Sequence, residues 1–410
     1  MVTVEDIREA EISISPYIIH TPLIYSPSIS LMTGAEVYLK LETLQKSGSF
    51  KIRGAINKIL SNRSKISRKG VVTASAGNHA QGVSLAAHVA GVPATVVMPL
   101  WSSLSKQEAA RAYGADIRLF GKTFEESMDR ALELAQDGML LVHPFDDPDI
   151  IAGQGTIGLE VFDSGVQPDL IVVPVGGGGL IAGVAIVIKK YFPSCQVIGV
   201  QSDACPSAYH RMKKGGPEYM SGGSTIADGI HVAKTGKHTF EIIKKFVNDI
   251  VLVDDSSIAD AILLLLERKK IVAEGAGAAS LAALISGKIN YQPGNTIVLI
   301  ISGGNIDSHQ LSRVIRQALA RSGRLVRLNL VLEDHPGSLS ELLAIIARKE
   351  GNILQISHNE WDVDLPVLEK RIWIEIETRG KEHSEIIQKA IHQAGIKTCQ
   401  TRDTGLSQVN

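Results

Sequence analysis

Up to about residue 320, short runs of β-branched and aliphatic residues alternate with segments whose apolar positions recur at helical spacing. Val71-Val72-Thr73 reads as a strand, and a helix follows from about Asn78. Ala94 to Met98 reads as a strand, Lys106 to Tyr113 and Thr123 to Ala135 as helices, and Met139 to Val142 as a buried strand. Asp147-Pro148-Asp149 predicts a helix start: Asp can accept from the first-turn amides, and Pro lacks an amide that would go unpaired there. Leu170 to Val175, Val197 to Val200 and Thr296 to Ile301 are further strands. This βαβα order predicts an α/β fold with a mostly parallel sheet covered on both faces. Ligands of such sheets bind at the carboxyl ends of the strands.

The run from Ile171 to Ile188 is apolar throughout and just long enough to raise the question of a membrane span. Pro174 and the successive glycines Gly176 to Gly179 would break such a helix. A strand, a glycine loop and a helix explain the segment better.

Past Ser322-Gly323, read as a linker, the pattern changes. Arg327 to Leu332 is a strand. Ser338-x-x-Glu341 reads as a capping box opening a helix with Leu339, Leu342, Leu343 and Ile346 on its apolar face, ended by Gly351. Ile353 to Ile356 is a second strand. Ile372, Ile374 and Ile376 alternate with Trp373, Glu375 and Glu377 in a half-buried third. A helix marked by Ile386, Ile387, Ala390 and Ile391 and a strand from Ile396 to Cys399 complete a ferredoxin-like βαββαβ unit.

Composition narrows the function classes. At 410 residues the chain is long enough for two or three domains, and 44% hydrophobic residues suffice for packed cores. A net charge of −1, from 42 basic and 43 acidic side chains, gives no reason to expect nucleic acid or an anionic membrane as partner. The three cysteines, Cys195, Cys205 and Cys399, form no CxxC pair. A disulfide framework or metal site is therefore not expected, and a cytoplasmic location is. The acidic N-terminus carries no apolar targeting stretch.

Four segments at predicted strand ends carry candidate chemistry. Lys51, in Ser47-Gly48-Ser49-Phe50-Lys51-Ile52-Arg53-Gly54-Ala55, is flanked by small residues and an aromatic ring that could face a planar cofactor. A desolvated amine loses proton affinity and becomes nucleophilic enough to form an imine, although a lone lysine is a weak motif. Ser75-Ala76-Gly77-Asn78-His79 follows a strand and opens a helix, where free amides attract a carboxylate or phosphate, or where Asn and Ser merely cap. Gly176-Gly177-Gly178-Gly179 also joins strand to helix and could wrap a phosphate with backbone N–H groups, or form only a tight turn. It is neither the dinucleotide G-x-G-x-x-G nor a P-loop. Ser302, in Ser302-Gly303-Gly304-Asn305, places a hydroxyl after the last buried strand, where a plain turn serine is the common fate.

Together, and in this order, the four segments resemble the threonine/serine dehydratase family of fold-type II pyridoxal-phosphate (PLP) enzymes. The resemblance implies a tryptophan-synthase-β-like catalytic part over residues 1–321, with a small subdomain of about 42–140 inserted in a large one. It implies that Lys51 carries PLP beside Phe50, that Asn78 bonds the ring hydroxyl, and that Gly176 to Gly179 hold the phosphate. Gly229, in a matching Ala227-Asp228-Gly229 run, joins the cofactor site, and Ser302 faces the pyridine nitrogen. Ser75, Ala76, Gly77 and His79 would receive the substrate carboxylate. Glu274-Gly275-Ala276-Gly277 and Gln154-Gly155-Thr156 also match. The implied reaction is β-elimination of ammonia from L-threonine, with L-serine a second substrate and the freed Lys51 amine taking the Cα proton. A serine at the ring nitrogen implies a weaker electron sink, favouring elimination over transamination.

Serine racemisation, or amino-acid sensing without catalysis, are the alternatives. Racemases resembling this chain carry a proton-delivering serine where Ala76 stands and metal-binding carboxylates where Gln201 and Ser207 stand. Cysteine synthases carry TSGNTG and GTGGT loops where this chain has SAGNHA and GGGG. Residues 325–402 resemble an ACT domain, which implies an amino-acid effector near Asp334 and Gly337, allosteric control suited to isoleucine biosynthesis, and a homodimer or homotetramer.

Overall fold

The computed structural model describes residues 1–216, 219–220, 222–359 and 365–398. The chain divides into two compact units, Met1–Leu311 and a second from Ser312 onward. The division falls within the helix Ser308–Arg321. Ser322-Gly323 is therefore the turn that follows that helix inside the second unit.

The first unit holds two sheets. Six strands run Leu23–Tyr25, Glu36–Leu41, Thr296–Ile301, Leu170–Pro174, Gln196–Ser202 and Asp249–Val253 across the larger sheet. Only the Leu23–Tyr25 edge strand is antiparallel. The smaller sheet, Asp116–Leu119, Ala94–Met98, Val71–Ala74 and Leu140–Leu141, is all parallel. Its strands come from one contiguous stretch, 71–141, while the larger sheet is built from chain on either side of it. This is the α/β architecture the alternation predicts.

Burial explains the near-continuous apolar strands. Every residue of Leu170–Pro174 is buried, because helices cover both faces. Gly179–Tyr191 is buried from Gly179 through Ile188 and packs on Pro148–Asp163. The apolar Ile171–Ile188 run is thus strand, loop and helix, and among the described residues no helix is long and apolar enough to cross a membrane. Asp147 caps the Pro148–Asp163 helix, its side chain accepting from the amides of Asp149 and Ile150, with Pro148 in the first turn.

The second unit orders its strands Asn352–Asn359, Glu369–Glu377, Leu325–Glu333, Lys397–Thr398, all antiparallel. Leu328, Leu330, Leu332, Ile372, Ile374 and Ile376 share one sheet face, buried against Leu342, Ile346, Ile387 and Ile391 of the helices Ser338–Arg348 and Lys381–Gln393. On the opposite face, Glu375 pairs with Arg316 at 2.6 Å.

Several local expectations are corrected. The buried strand expected over Met139 to Val142 is a two-residue, half-buried edge strand, Leu140–Leu141, because only Val71 and Val72 lie opposite it. The helix expected over 106–113 runs Leu104–Arg111. The Ser338 capping box does not form: Gly337 takes the cap position at φ +103°, a conformation a serine avoids, and the Ser338 hydroxyl is left inside the first turn without a partner. That helix closes at Arg348, and the left-handed residue after it is Glu350 rather than Gly351. The final strand pairs through Lys397 and Thr398, while Cys399 and the rest of the expected unit to 402 lie outside the described residues.

Candidate active site

The site is assembled where parallel strands of both sheets end. Lys51 opens the helix Lys51–Ser61 directly after Phe50. The preceding residues are zipped onto the end of the Thr296–Ile301 strand: the Phe50 amide donates to the Ser302 carbonyl at 3.1 Å, and Ser49 bridges Gly303. This pairing fixes Lys51 close in space to Ser302, which is 2% exposed. The Lys51 amine donates to the Pro144 carbonyl at 2.9 Å and lies 5.1 Å from the centre of the Phe50 ring. Burial pushes that amine down to about 8, against the opposing pull of Glu274's charge.

Ser75, Ala76, Gly77 and Asn78 are half-buried and line the end of the Val71–Ala74 strand. The helix Asn78–Ala90 begins there with Gly77 as an N-cap that offers no side chain, so its first-turn amides lack intrahelical partners. His79 behaves differently. Its side chain is buried, with Nε2 at 3.0 Å from the Val142 carbonyl, so Nε2 carries the proton. Burial, reinforced by the Lys51 charge, pushes the imidazole down to about 3 and keeps it neutral. What His79 can offer an anion is its backbone amide.

Gly176 to Gly179 join the Leu170–Pro174 strand to the Gly179–Tyr191 helix. The Thr239 hydroxyl and the Gly236 amide both donate to the Gly177 carbonyl, at 2.7 and 3.2 Å, which turns that carbonyl toward the Lys237–Phe246 helix. Gly177 lies so close to Phe145 that a Cβ there would sit 2.2 Å from the ring. None of the four glycine amides has an acceptor among the described residues. A row of free amides at a helix N-terminus suits a phosphate group. Gly229, in the turn Asp228–Ile230, abuts the same loop through Gly176 and also lies near Glu274 and Asn78.

Three features of the site escape sequence reasoning. The 143–147 loop links its parts: Pro144 holds Lys51, Phe145 walls Gly177, and Asp146 accepts from the amides of Lys237, His238 and Thr239. Glu274, 4% exposed, accepts from Asn78 Nδ2 at 2.6 Å. Asn305 Nδ2 donates to Asn78 Oδ1 at 2.8 Å. The only hint in the sequence is the short motif around each.

Gln201 and Ser207 are engaged within the protein, Gln201 accepting from the Tyr209 amide and Ser207 donating to the Val232 carbonyl, both at 2.9 Å. Asp334 and Gly337 lie in the second unit, where Asp334 pairs with Lys370 at 2.7 Å and a Cβ on Gly337 would meet open space.

A lysine with lowered proton affinity, a row of free amides and a buried serine lie at the carboxyl ends of parallel strands, an arrangement that fits a fold-type II PLP enzyme. The family described as "Pyridoxal-phosphate dependent enzyme" matches residues 14–303, and the chain belongs to it. The L-threonine ammonia-lyase of Thermotoga maritima is 46% identical over 396 residues, which cover 96% of this chain and 98% of that protein. That of Geobacter sulfurreducens is 45% identical over 394 residues, 95% of this chain and 96% of the relative. Among solved structures, the threonine deaminase isoform 2 of Solanum lycopersicum, in its processed form, is 38% identical, with a TM-score of 0.70, covering 77% of this chain and 94% of its own. Maize serine racemase is 35% identical, with a TM-score of 0.73, covering 78% and 98%. The cofactor is PLP, and the lysine, free amides and buried serine fit it.

Proposed function

We propose that the protein is an L-threonine ammonia-lyase, releasing 2-oxobutanoate and ammonia from L-threonine and acting more slowly on L-serine. The observation that carries this reading is similarity to two L-threonine ammonia-lyases along 95% or more of this chain, second unit included. The two substrates differ by one methyl group, a difference that supports only about 1–3 kcal/mol of discrimination.

Lys51 would carry PLP, Asn78 would meet the ring hydroxyl, Ser302 the ring nitrogen, and the Gly176 to Gly179 amides the phosphate. Phe50 and Gly229 would complete the cofactor's surroundings. PLP, when bound, supplies an electron sink for the pair left at Cα. The substrate carboxylate would be received by the Ser75 to His79 loop, whose first-turn amides are free and whose helix dipole favours an anion. The Lys51 amine, near neutrality at about 8, can take the Cα proton as a general base. Loss of the β-hydroxyl as water, followed by hydrolysis of the resulting enamine, gives the keto acid and ammonia. The racemase alternative needs a second proton donor, and Ala76 has none to give.

For the second unit the reading is an ACT-like regulatory domain over about 325–402 that binds an amino-acid effector and adjusts threonine affinity, as control of isoleucine biosynthesis would need. Its βαββαβ order and the open space at Gly337, beside Asp334, support this. A coupling of about 1–3 kcal/mol would be typical. A cytoplasmic homodimer or homotetramer completes the reading.

The test is 2-oxobutanoate release from L-threonine by purified protein with PLP, beside Lys51→Ala. Keto acid from the wild type alone is expected. Threonine binding without release of product would instead establish a sensor.

A further inference from the structure

Both ends of the Asn78 amide are held by protein. Nδ2 donates to Glu274 Oε1 at 2.6 Å, and Oδ1 accepts from Asn305 Nδ2 at 2.8 Å. An asparagine amide has two N–H donors on one side and an acceptor oxygen on the other, and its neighbours decide which way it faces. Here the decision starts at the backbone. The Ser47 carbonyl can only accept, and it takes a hydrogen bond from Asn305 Nδ2 at 2.8 Å. Asn305 therefore presents its NH2 group, and Asn78 must turn its oxygen toward it. Glu274 then takes one of the two Asn78 N–H groups, and the second is left over.

Glu274 is itself fixed from two sides. Its amide donates to the Gly303 carbonyl at 3.1 Å. Its carboxyl occupies space that the glycine at 303 leaves open, since a Cβ there would lie 2.6 Å from Oε1. Burial, then the charge of Asp228, pushes this carboxyl up to about 8, while the bond from Asn78 works against the rise. Whether ionised or neutral, a carboxyl keeps a lone pair for the Asn78 N–H.

We propose that Glu274 is a positioning residue: by accepting one Asn78 N–H, it locks the amide so that the other N–H, and not the carbonyl, is offered to the ring oxygen of PLP. The proposal rests on the reading that Asn78 meets that oxygen. A carbonyl turned the other way would face an electron-rich oxygen with a second acceptor and repel it.

The test measures PLP affinity by equilibrium dialysis, and the pH midpoint of the bound cofactor's absorbance, in holoenzyme variants. Glu274→Ala should weaken PLP binding by about tenfold or more, as expected when a buried donor loses its acceptor, and should move the midpoint. Glu274→Gln, which can turn its own carbonyl to Asn78, should keep the affinity within about twofold. Glu274→Ala combined with Asn78→Ala should bind no more weakly than Asn78→Ala alone, because the two residues act as one unit. If the alanine variant does not fold, Glu274→Leu, bulkier and without an acceptor, reads the same loss. Wild-type affinity in the alanine or leucine variant, or losses that simply add in the double variant, would overturn the proposal. Wild-type affinity in Asn78→Ala would instead overturn the underlying reading of Asn78, and the proposal with it.

Discussion

The Lys51 amine is bonded to the carbonyl of Pro144, 93 residues away in the chain, at 2.9 Å. A carbonyl cannot supply a proton, so this contact holds the amine in place without tying up its lone pair once the nitrogen is neutral. Position and reactivity are thus set by separate groups: the 143–147 loop orients the nitrogen, and burial lowers its proton affinity.

That separation predicts a pH profile. Only the neutral amine attacks a carbonyl. With the folded value at about 8, down from 10.5, the reactive fraction rises with pH and levels off above about 8. An ordinary lysine would still be gaining at pH 10. Glu274, also pushed up to about 8, titrates over the same range, so the wild-type curve belongs to the pair. Stopped-flow recombination of PLP with cofactor-free protein should show this plateau, and Glu274→Gln should isolate the lysine. A rate that keeps climbing to pH 10 in both proteins would show that the amine is not desolvated.

The glycine loop gives a steric prediction. Gly177→Ala would place a methyl group 2.2 Å from the Phe145 ring, against a side chain whose own backbone is held by His143 Nδ1. Overpacking of this kind costs about 1–3 kcal/mol. The larger effect should be on PLP, because the loop can relieve the clash only by moving its amides. We expect a lowered melting temperature together with PLP binding weakened by more than about tenfold, and partial recovery of both in Gly177→Ala combined with Phe145→Leu. A loss of stability with PLP affinity intact would mean that the loop does not hold the cofactor.

How far the site was legible depends on the separation of the partners along the chain. The Lys51 segment, the Gly176 to Gly179 loop and Ser302 each stand out locally, because a strand ending in small residues before a helix is visible within about ten residues. Glu274 and Asn305 reach Asn78 across 196 and 227 residues, and nothing local in either segment encodes a partner that far away. That juxtaposition follows from sheet order, which strand periodicity leaves open. At Ser338 the helix starts where expected, and its cap differs for a local reason. A capping box and a glycine cap share one short sequence, and only the backbone angle at Gly337 separates them.

The thiols should be silent in the native protein. Cys195 and Cys205 are free and buried, and burial pushes the Cys195 thiol up to about 12. The thiolate is the reactive form. A Cys399→Ser variant, which keeps only these two cysteines, should therefore show no reaction with a disulfide reagent when folded and two equivalents after unfolding in urea. Rapid labelling of the folded variant would place one of them at the surface.

The last prediction concerns the charges behind Lys51. Two residues along the same helix, Arg53 is fully buried and donates to both Glu42 oxygens at 2.8 Å and to Glu160 at 2.6 and 3.0 Å. Lys40 completes the cluster on Glu160. Burial works against the Arg53 charge, but the two carboxylates more than offset it. Burial likewise pushes the Glu160 carboxyl up, and Arg53 beside it pulls it below the usual carboxylate value. Removing the cation strands Glu42, so Arg53→Met should cost about 3–5 kcal/mol at neutral pH. A carboxyl held low when folded stabilises the protein above the unfolded-state carboxylate value, and that contribution fades as pH falls through the lower, folded value. Wild-type stability should therefore fall faster than that of Arg53→Met on acidification, and the two curves should converge. Urea unfolding at neutral pH and through the acid range measures both. A gap between the curves that stays constant into acid would mean that packing, not the ion cluster, is what Arg53 contributes.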